Sequence, residues 1–409
     1  MMKKLQVKYA CDNQRMHDVG QLAELNNRIF FEYERSFMDL HIELSPFFLP
    51  LKQGLVEHTD RSFGPIWGVF DDSLPDGWGL LLMERYYRKQ GLSLHAMSPL
   101  DRLGWLGVRT MGALTYHPSV ESEEWCGRVL DLRKLAEHSM KILNGEESEV
   151  LPQLLAVGGS PGGARPKVLI GYDPRNKTVL SGESNLPDGY EHWMVKFRSK
   201  EDPLDGAAIE YAYSLMARSA GITMPETRLF SGGRSARYFG IKRFDRGKGN
   251  QRYHIHTFGN LVHADFRIPS VDYCELMKVT AVMTRDHHAV EEMFRRMVFN
   301  VFAHNRDDHV KNFSFILDLE RGTWQVSPAY DLIFTEGPSG EHSMSVNGNG
   351  KEPGVRDILS VAEKSAVEKG VALRIIDEVA ASIGDWSRFA AEAGVSERSM
   401  KAIAKKLLR

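Results

Sequence analysis

His304–Phe315, HNRDDHVKNFSF, and Ser327–Leu332, SPAYDL, carry the densest chemistry in the chain. Six charged or amide side chains between Asn305 and Asn312 lie directly between an apolar helix-like run and an apolar strand-like run. Polar groups in such a place must find partners or bear the cost of desolvation. Upstream, VEEMFRRMVFNVFAHN brings Met293, Phe294, Met297, Val298, Val301 and Phe302 round at the helical period, which predicts a helix with one buried face. Downstream, NFSFILD and GTWQVSPAY flank a turn around Glu320–Gly322 and predict a hairpin. Phosphoryl transfer asks for a set of this kind: a carboxylate to orient and accept the hydroxyl proton, and oxygen ligands for the metal that neutralises a polyphosphate. Asp307 and Asn312 have the offset of the Asp-x-x-x-x-Asn template, and Asp331 falls at the end of the second hairpin strand, where that template sets its second aspartate. The offset alone would mark no more than a polar turn. Its seat between two apolar elements argues for a site that binds Mg²⁺ and a nucleotide.

Working toward the N-terminus, GGSPGGARPKVLIGYD packs four glycines into residues 158–163. Glycine lets backbone N–H groups approach phosphates, and a strand after Lys167 would anchor the loop. The spacing is neither G-x-x-x-x-G-K-[ST] nor G-x-G-x-x-G, so this segment by itself signals a flexible turn. Lys196, in HWMVKF, is a single cation in an apolar strand. It is either a snorkelling surface lysine or the strand lysine that grips nucleotide phosphates, with Glu210 on the next helix as its orienting partner. KRFDR, Lys242–Arg246, stands where strand character yields to helix. It reads as a plain linker or as a hinge, with the Lys242–Phe244 backbone against adenine and Asp245 beside the ribose.

Strand signals dominate between PKVLIGYD and ARYFGIKRF, interrupted by the helical DGAAIEYAYSLMARSAGI, for which Gly221 is the expected stop. From Gly247 onward the pattern is mostly helical, and Val355–Arg409 reads as amphipathic helices. The acidic, turn-rich NGEESEVLP marks a boundary before the strands. The expected organisation is therefore α+β: an N-terminal module over 1–148, a strand-rich small lobe over 149–246 and a helical lobe over 247–409. With 409 residues, 42% hydrophobic and 26% charged, the chain has the balance of a multi-domain globular protein. No apolar run approaches the length of a membrane span, and MMKKLQVKYACDNQ lacks a signal-peptide core, so a cytoplasmic location is expected. Cys11, Cys126 and Cys274 are too scattered for a zinc site or a disulfide framework. Fifty-two Lys and Arg against 54 Asp and Glu give no global attraction to nucleic acid.

Taken in order, SPGGARPK, VKF, IKRFDR, NRDDHVKN and SPAYDL resemble the HipA family of toxin kinases, and SLPDGWG with SPLDRLGWLGVRTMGAL resembles that family's N-terminal subdomain. The resemblance implies a two-lobed fold like protein kinases and phosphatidylinositol kinases, with ATP and Mg²⁺ as cofactors. It implies Asp307 as the catalytic aspartate and Asn312 and Asp331 as Mg²⁺ ligands. Gly162, Gly163, Ala164, Lys167, Lys196, Lys242, Phe244, Asp245, His309 and Lys311 would complete the nucleotide site, and Ser160 stands where the family carries an autophosphorylated serine. The implied activity is serine/threonine phosphorylation of a protein, an aminoacyl-tRNA synthetase being the type of target, that restrains growth. The implied partner is a helix-turn-helix antitoxin of the HipB type, with DNA reached only through it and no membrane. Two departures stand out: the loop is richer in glycine and proline than the family's commoner forms, and Lys242 replaces an acidic hinge residue.

The same parts would serve a small-molecule kinase, because acceptor identity lives in surfaces rather than in the phosphate-gripping residues. A catalytically idle corepressor is the other alternative. Intact Lys196, Asp307, Asn312 and Asp331 speak against it, and no helix-turn-helix signal or basic run marks independent DNA binding.

Overall fold

A computed structural model describes residues 2–119, 127–146, 148–159, 161–182, 185–233 and 236–407. Cys126 and Ser160 lie outside the described residues. The chain folds into two compact units: Met1–Asp202 with Phe230–His256 and Leu317–Gly322, and Pro203–Leu229 with Thr257–Ile316 and Thr323–Arg409.

The first unit opens with a five-stranded antiparallel sheet made of β1 (Lys3–Ala10), β2 (Met16–Leu25), β3 (Arg28–Tyr33), β4 (Val56–Glu57) and β5 (Leu114–His117), in the order β4-β3-β2-β1-β5. Leu5, Val7 and Tyr9 alternate into its core, as the period of a half-buried strand requires. The helix Pro99–Leu106 starts on a capping box in which Ser98 and Asp101 bond each other's backbone N–H, with Pro99 in its first turn. A second five-stranded sheet has the order β7-β6-β8-β10-β9, with β6 at Lys167–Asp173, β7 at Thr178–Ser181, β8 at Glu191–Lys196, β9 at Thr227–Ser231 and β10 at Arg237–Lys242. Every residue of β6 is buried, in keeping with the apolar run at 168–172 between Lys167 and Asp173.

One hydrophobic cluster runs through both of the expected segments, 1–148 and 149–246. Trp78, Leu82, Leu135 and Leu154 pack with Val168, Trp193, Val195 and Phe230. The presumed boundary NGEESEVLP leads straight into a helix, Leu151–Gly158, whose Leu151, Leu154 and Val157 are buried in that cluster.

The second unit is mainly helical. Its helix Gly206–Ser219 ends before Gly221, whose φ of +80° is the left-handed conformation expected of a stop. His287–Phe302, capped by the Asp286 side chain, buries Met293, Phe294, Met297 and Val298 as its periodicity requires. Each such side chain contributes about 1.5–3 kcal/mol by leaving water. Tyr213 Oη donates 2.6 Å to the carbonyl of Ala303 and ties the two helices together. The last strands, β12 (Ser314–Asp318) and β13 (Thr323–Val326), follow β11 (His254–Thr257) in the chain and are joined by the expected turn. The tail folds into helices Val355–Lys364, Lys369–Gly384, Trp386–Ala393 and Glu397–Ala404. Among the described residues no helix is long and apolar enough to cross a membrane.

Candidate functional site

In the second unit, the chain leaves the helix His287–Phe302 and runs as an irregular polar loop to Val310–Asn312, a single 3₁₀ turn before β12. Asp308 is the pivot of this loop. It is fully buried, and its carboxylate accepts from Tyr273 Oη at 2.8 Å, His342 Nδ1 at 2.8 Å and the Ser343 N–H at 2.8 Å. Tyr273 Oη in turn accepts from Asn300 Nδ2 at 2.9 Å, and Asn300 Oδ1 accepts from Asn305 Nδ2 at 2.9 Å. Burial, reinforced by the neighbouring Asp308 charge, pushes the Tyr273 phenol well above its ordinary range and keeps it a donor. The polar residues thus do find partners between the two apolar elements, most of them in a buried network.

Asp307 is only half-buried, next to this fixed residue. Asn312 Nδ2 donates to the Asp307 carbonyl at 2.6 Å, closing the loop between the two residues that the offset singled out. That bond uses the amide nitrogen of Asn312 and does not involve its Oδ1. Tyr330 Oη donates 2.8 Å to the Lys311 carbonyl, so the segment that bears Asp331 is tied to the same loop. Asp331 has a φ of +54°, a conformation unfavourable for a residue with a Cβ and found where surrounding structure enforces it. Lys311 Nζ lies 5.0 Å from the centre of the Phe266 ring, and the His309 ring centre is 5.4 Å from the same ring. The structure therefore brings Asp307, His309, Lys311 and Asn312 onto one loop and ties Tyr330, the neighbour of Asp331, to it. Among the described residues no group of three or more His, Cys, Asp or Glu forms a metal cluster. An amide oxygen and one carboxylate suit Mg²⁺, a hard cation that keeps waters and takes phosphate oxygens for its other positions.

In the first unit, Lys167 and Lys196 stand directly opposite each other on β6 and β8, and Lys196 also pairs with Phe239 on β10. Directly opposed side chains share one face of a sheet, so both lysines leave the backbone on the same face. Lys167, buried, donates to the Gly162 carbonyl, and Lys196 Nζ lies 5.7 Å from the centre of the Phe239 ring. Gly162, Gly163 and Ala164 form the exposed loop beside them. Glu210 is buried on the helix Gly206–Ser219 of the second unit.

Two of the expected residues at the strand exit, Lys242 and Asp245, are engaged within the fold. Lys242 Nζ bonds Glu191 Oε1 at 2.6 Å, and its backbone lies in the β8–β10 ladder opposite Trp193. The Arg243 N–H is likewise spent on the His192 carbonyl at 2.9 Å. Phe244 follows, half-buried. Asp245 is 1% exposed and accepts from Arg243 Nε at 2.8 Å, Arg246 Nη1 at 2.6 Å and the Gly112 N–H at 2.8 Å. Burial alone would raise the Asp245 carboxyl, but Arg243 and Arg246 beside it prevail and hold it well below the usual carboxylate range. Arg246 and Arg252 also donate to the Gly112 carbonyl, each at 2.9 Å. The hinge motif and the GVRTMGAL segment, far apart in sequence, are thus one buried junction. Sequence reading missed Tyr273, Asn300, His342, Phe266 and Glu191, since none stands in a motif. The one available signal was Asp308, a second carboxylate beside the candidate catalytic one.

An α+β chain whose N-terminal module shares a core with a strand-rich segment, followed by a helical unit with this loop, has the HipA-like fold. It is similar over 98% of its length to HipA of Shewanella oneidensis MR-1, solved with HipB and operator DNA, with a TM-score of 0.72, 16% identity and 94% of that chain covered. The sequence matches the HipA-like C-terminal domain over residues 159–407 and the HipA N-terminal domain over residues 14–117. The chain belongs to the HipA family. It is also 32% identical over 157 residues to "Putative kinase Y4dM" of Sinorhizobium fredii, covering 35% of this chain and 37% of that protein. It is 25% identical over 177 residues to a "Putative kinase" of Haemophilus influenzae, covering 40% of this chain and 51% of that protein. The matched segments thus span about half or less of those relatives' own lengths.

Proposed function

We propose that the chain is an ATP- and Mg²⁺-dependent serine/threonine protein kinase that restrains growth. The observation that carries this reading is the loop of Asp307 and Asn312, closed on itself at 2.6 Å and held from beneath by the buried Asp308. Asp307 orients the acceptor hydroxyl and takes its proton. Asn312 and Asp331 would hold Mg²⁺, which would supply charge neutralisation for the polyphosphate. Within the first unit, Lys167 and Lys196 on one sheet face are the cations proposed to meet nucleotide phosphates. The relatives named as kinases and the family membership support phosphoryl transfer.

A protein acceptor, of the aminoacyl-tRNA synthetase type, is proposed from the family resemblance, and a cytoplasmic location from the reading of the sequence. A HipB-type antitoxin is the proposed partner, after the complex solved for the Shewanella protein, and DNA would be reached through it. Ser160 is proposed to be autophosphorylated. A phosphate there adds about −1.5 to −2 charges where ATP's own phosphates must lie, so the modified loop would no longer accept ATP. Incubation with Mg·ATP followed by peptide mapping tests the reading. Phosphate on Ser160 in the wild type, absent in Asp307→Ala, with ATP binding lost, is expected. Phosphorylated Ser160 with intact ATP affinity would overturn the self-inactivation.

A further inference from the structure

The glycine-rich loop is gripped by a segment that no catalytic role accounts for, Asp76–Gly77–Trp78 of SLPDGWG. Asp76 is the N-cap of the helix Gly77–Lys89, yet its side chain makes no capping bond to that helix. An aspartate at this position ordinarily accepts an N–H of its own first turn, worth about 1 kcal/mol. Here the carboxylate accepts the N–H of Gly163 instead. The Trp78 N–H, one of the helix's unpaired first-turn donors, gives 2.9 Å to the carbonyl of the same Gly163. Both polar atoms of one residue are therefore held by one short segment, which fixes the planes of the two peptides that meet at Gly163.

The fit is close at several points. Gly77 has a φ of +41°, and a Cβ on it would stand 2.5 Å from the Gly163 carbonyl oxygen. A Cβ on Gly79 would stand 2.5 Å from the Gly159 carbonyl oxygen. Trp78 is 1% exposed and packs where a Cβ on Gly158 would stand 3.1 Å from its Nε1. One residue before the gripped Gly163, the Gly162 carbonyl receives Lys167 Nζ, so the loop's setting and the position of this ammonium are linked.

We propose that Asp76, Gly77 and Trp78 form a positioning clasp for the glycine-rich loop, setting the backbone and Lys167 that meet the nucleotide phosphates. This rests on the reading of that loop as phosphate-binding. The clasp acts by geometry: Asp76 adds a negative charge, which by itself would weaken the binding of a polyanion. The charge and the hydrogen bond make opposite forecasts, so a pair of substitutions separates them.

The test uses the full-length protein, with Mg·ATP titrated calorimetrically into wild type, Asp76→Ala and Asp76→Asn, and amide hydrogen exchange followed at Gly163 without nucleotide. Asp76→Ala is expected to weaken Mg·ATP about tenfold by losing a charge-assisted hydrogen bond, and to speed Gly163 exchange. Asp76→Asn, whose Oδ1 still accepts, is expected to stay within about threefold of wild type. At saturating ATP the turnover of both variants should match wild type, a split that general destabilisation would not give. Unchanged Gly163 exchange in Asp76→Ala overturns the clasp. Tighter binding by both variants also overturns it, since Asp76 would then be competing with phosphate. Wild type that fails to bind Mg·ATP, with Gly163 exchange still accelerated in Asp76→Ala, overturns the phosphate reading and the clasp's role in it.

Discussion

The loop around Asp307 and the glycine-rich loop around Gly163 are both polar turns entering a strand, and they are held in opposite ways. The first hangs from Asp308, a fully buried carboxylate with three donors. The second lies on the surface and is held through its backbone by Asp76, Trp78 and Lys167. A buried, satisfied network is costly to rearrange, whereas exposed hydrogen bonds open at little cost. The comparison suggests a fixed platform for the carboxylate proposed to accept the proton and an adjustable setting for the loop proposed to meet the phosphates.

The largest effect should come from breaking the platform. Asp308→Ala removes the acceptor of three buried donors, and urea denaturation should show a loss of about 3 kcal/mol or more. Asp76→Ala, at the second loop, should cost no more than about 1 kcal/mol in the same experiment. Equal losses would erase the distinction between the two loops.

Acid bears next on the first unit. Burial, with His256 adding to it, pushes His254 down to about 3, and burial, with Arg243 adding to it, pushes His192 down to about 4. Both belong to the first unit. Histidine in an unfolded chain titrates near about 6.5, so below that pH the unfolded state takes up protons that the fold refuses. The stability these residues contribute is complete above about pH 6.5 and is lost as pH falls toward the folded values. Each should contribute a slope of up to about 1.4 kcal/mol per pH unit. Urea unfolding at pH 7, 6 and 5 measures it, and His254→Gln should flatten the slope. An unchanged slope in that variant would mean His254 is protonated in the fold.

The smallest effect is expected at Lys242. Its ion pair with Glu191 is partly exposed on both sides, so Lys242→Met should change stability by less than about 1 kcal/mol. Mg·ATP affinity should remain within about twofold, because the side chain is committed to Glu191. A larger loss of affinity would return Lys242 to the nucleotide site.

Much of this arrangement was legible in the chain, and the exceptions share a cause. The helix His287–Phe302, the hairpin and strands β6, β8, β9 and β10 stand out because period and turn chemistry are local properties. The helix Leu151–Gly158 was hidden by the acidic turn before it and the glycines after it, although Leu151, Leu154 and Val157 are core residues. Strands β1–β3 were not resolved within the N-terminal module; β2 carries His17, Asp18, Gln21 and Glu24 among its apolar residues, which blurs the alternation. At the site, Asp307 and Asn312 were readable from their offset. The contacts of Asp245 were not readable because they include Gly112, more than a hundred residues earlier. His342 and Tyr273 escaped for the same reason: spacing in sequence does not report a partner that tertiary structure supplies.

The central claim is that Asp307 does chemistry and not support. Transfer of the labelled γ-phosphoryl group of ATP, followed beside Mg·ATP affinity and folding stability in wild type and Asp307→Asn, tests it most directly. The amide fills the same space but accepts no proton, so transfer is expected to fall by about a hundredfold or more. Affinity should stay within about threefold, and stability within about 0.5 kcal/mol, of wild type. Transfer that falls only in proportion to lost affinity or lost folded protein would make Asp307 a turn residue and contradict the account.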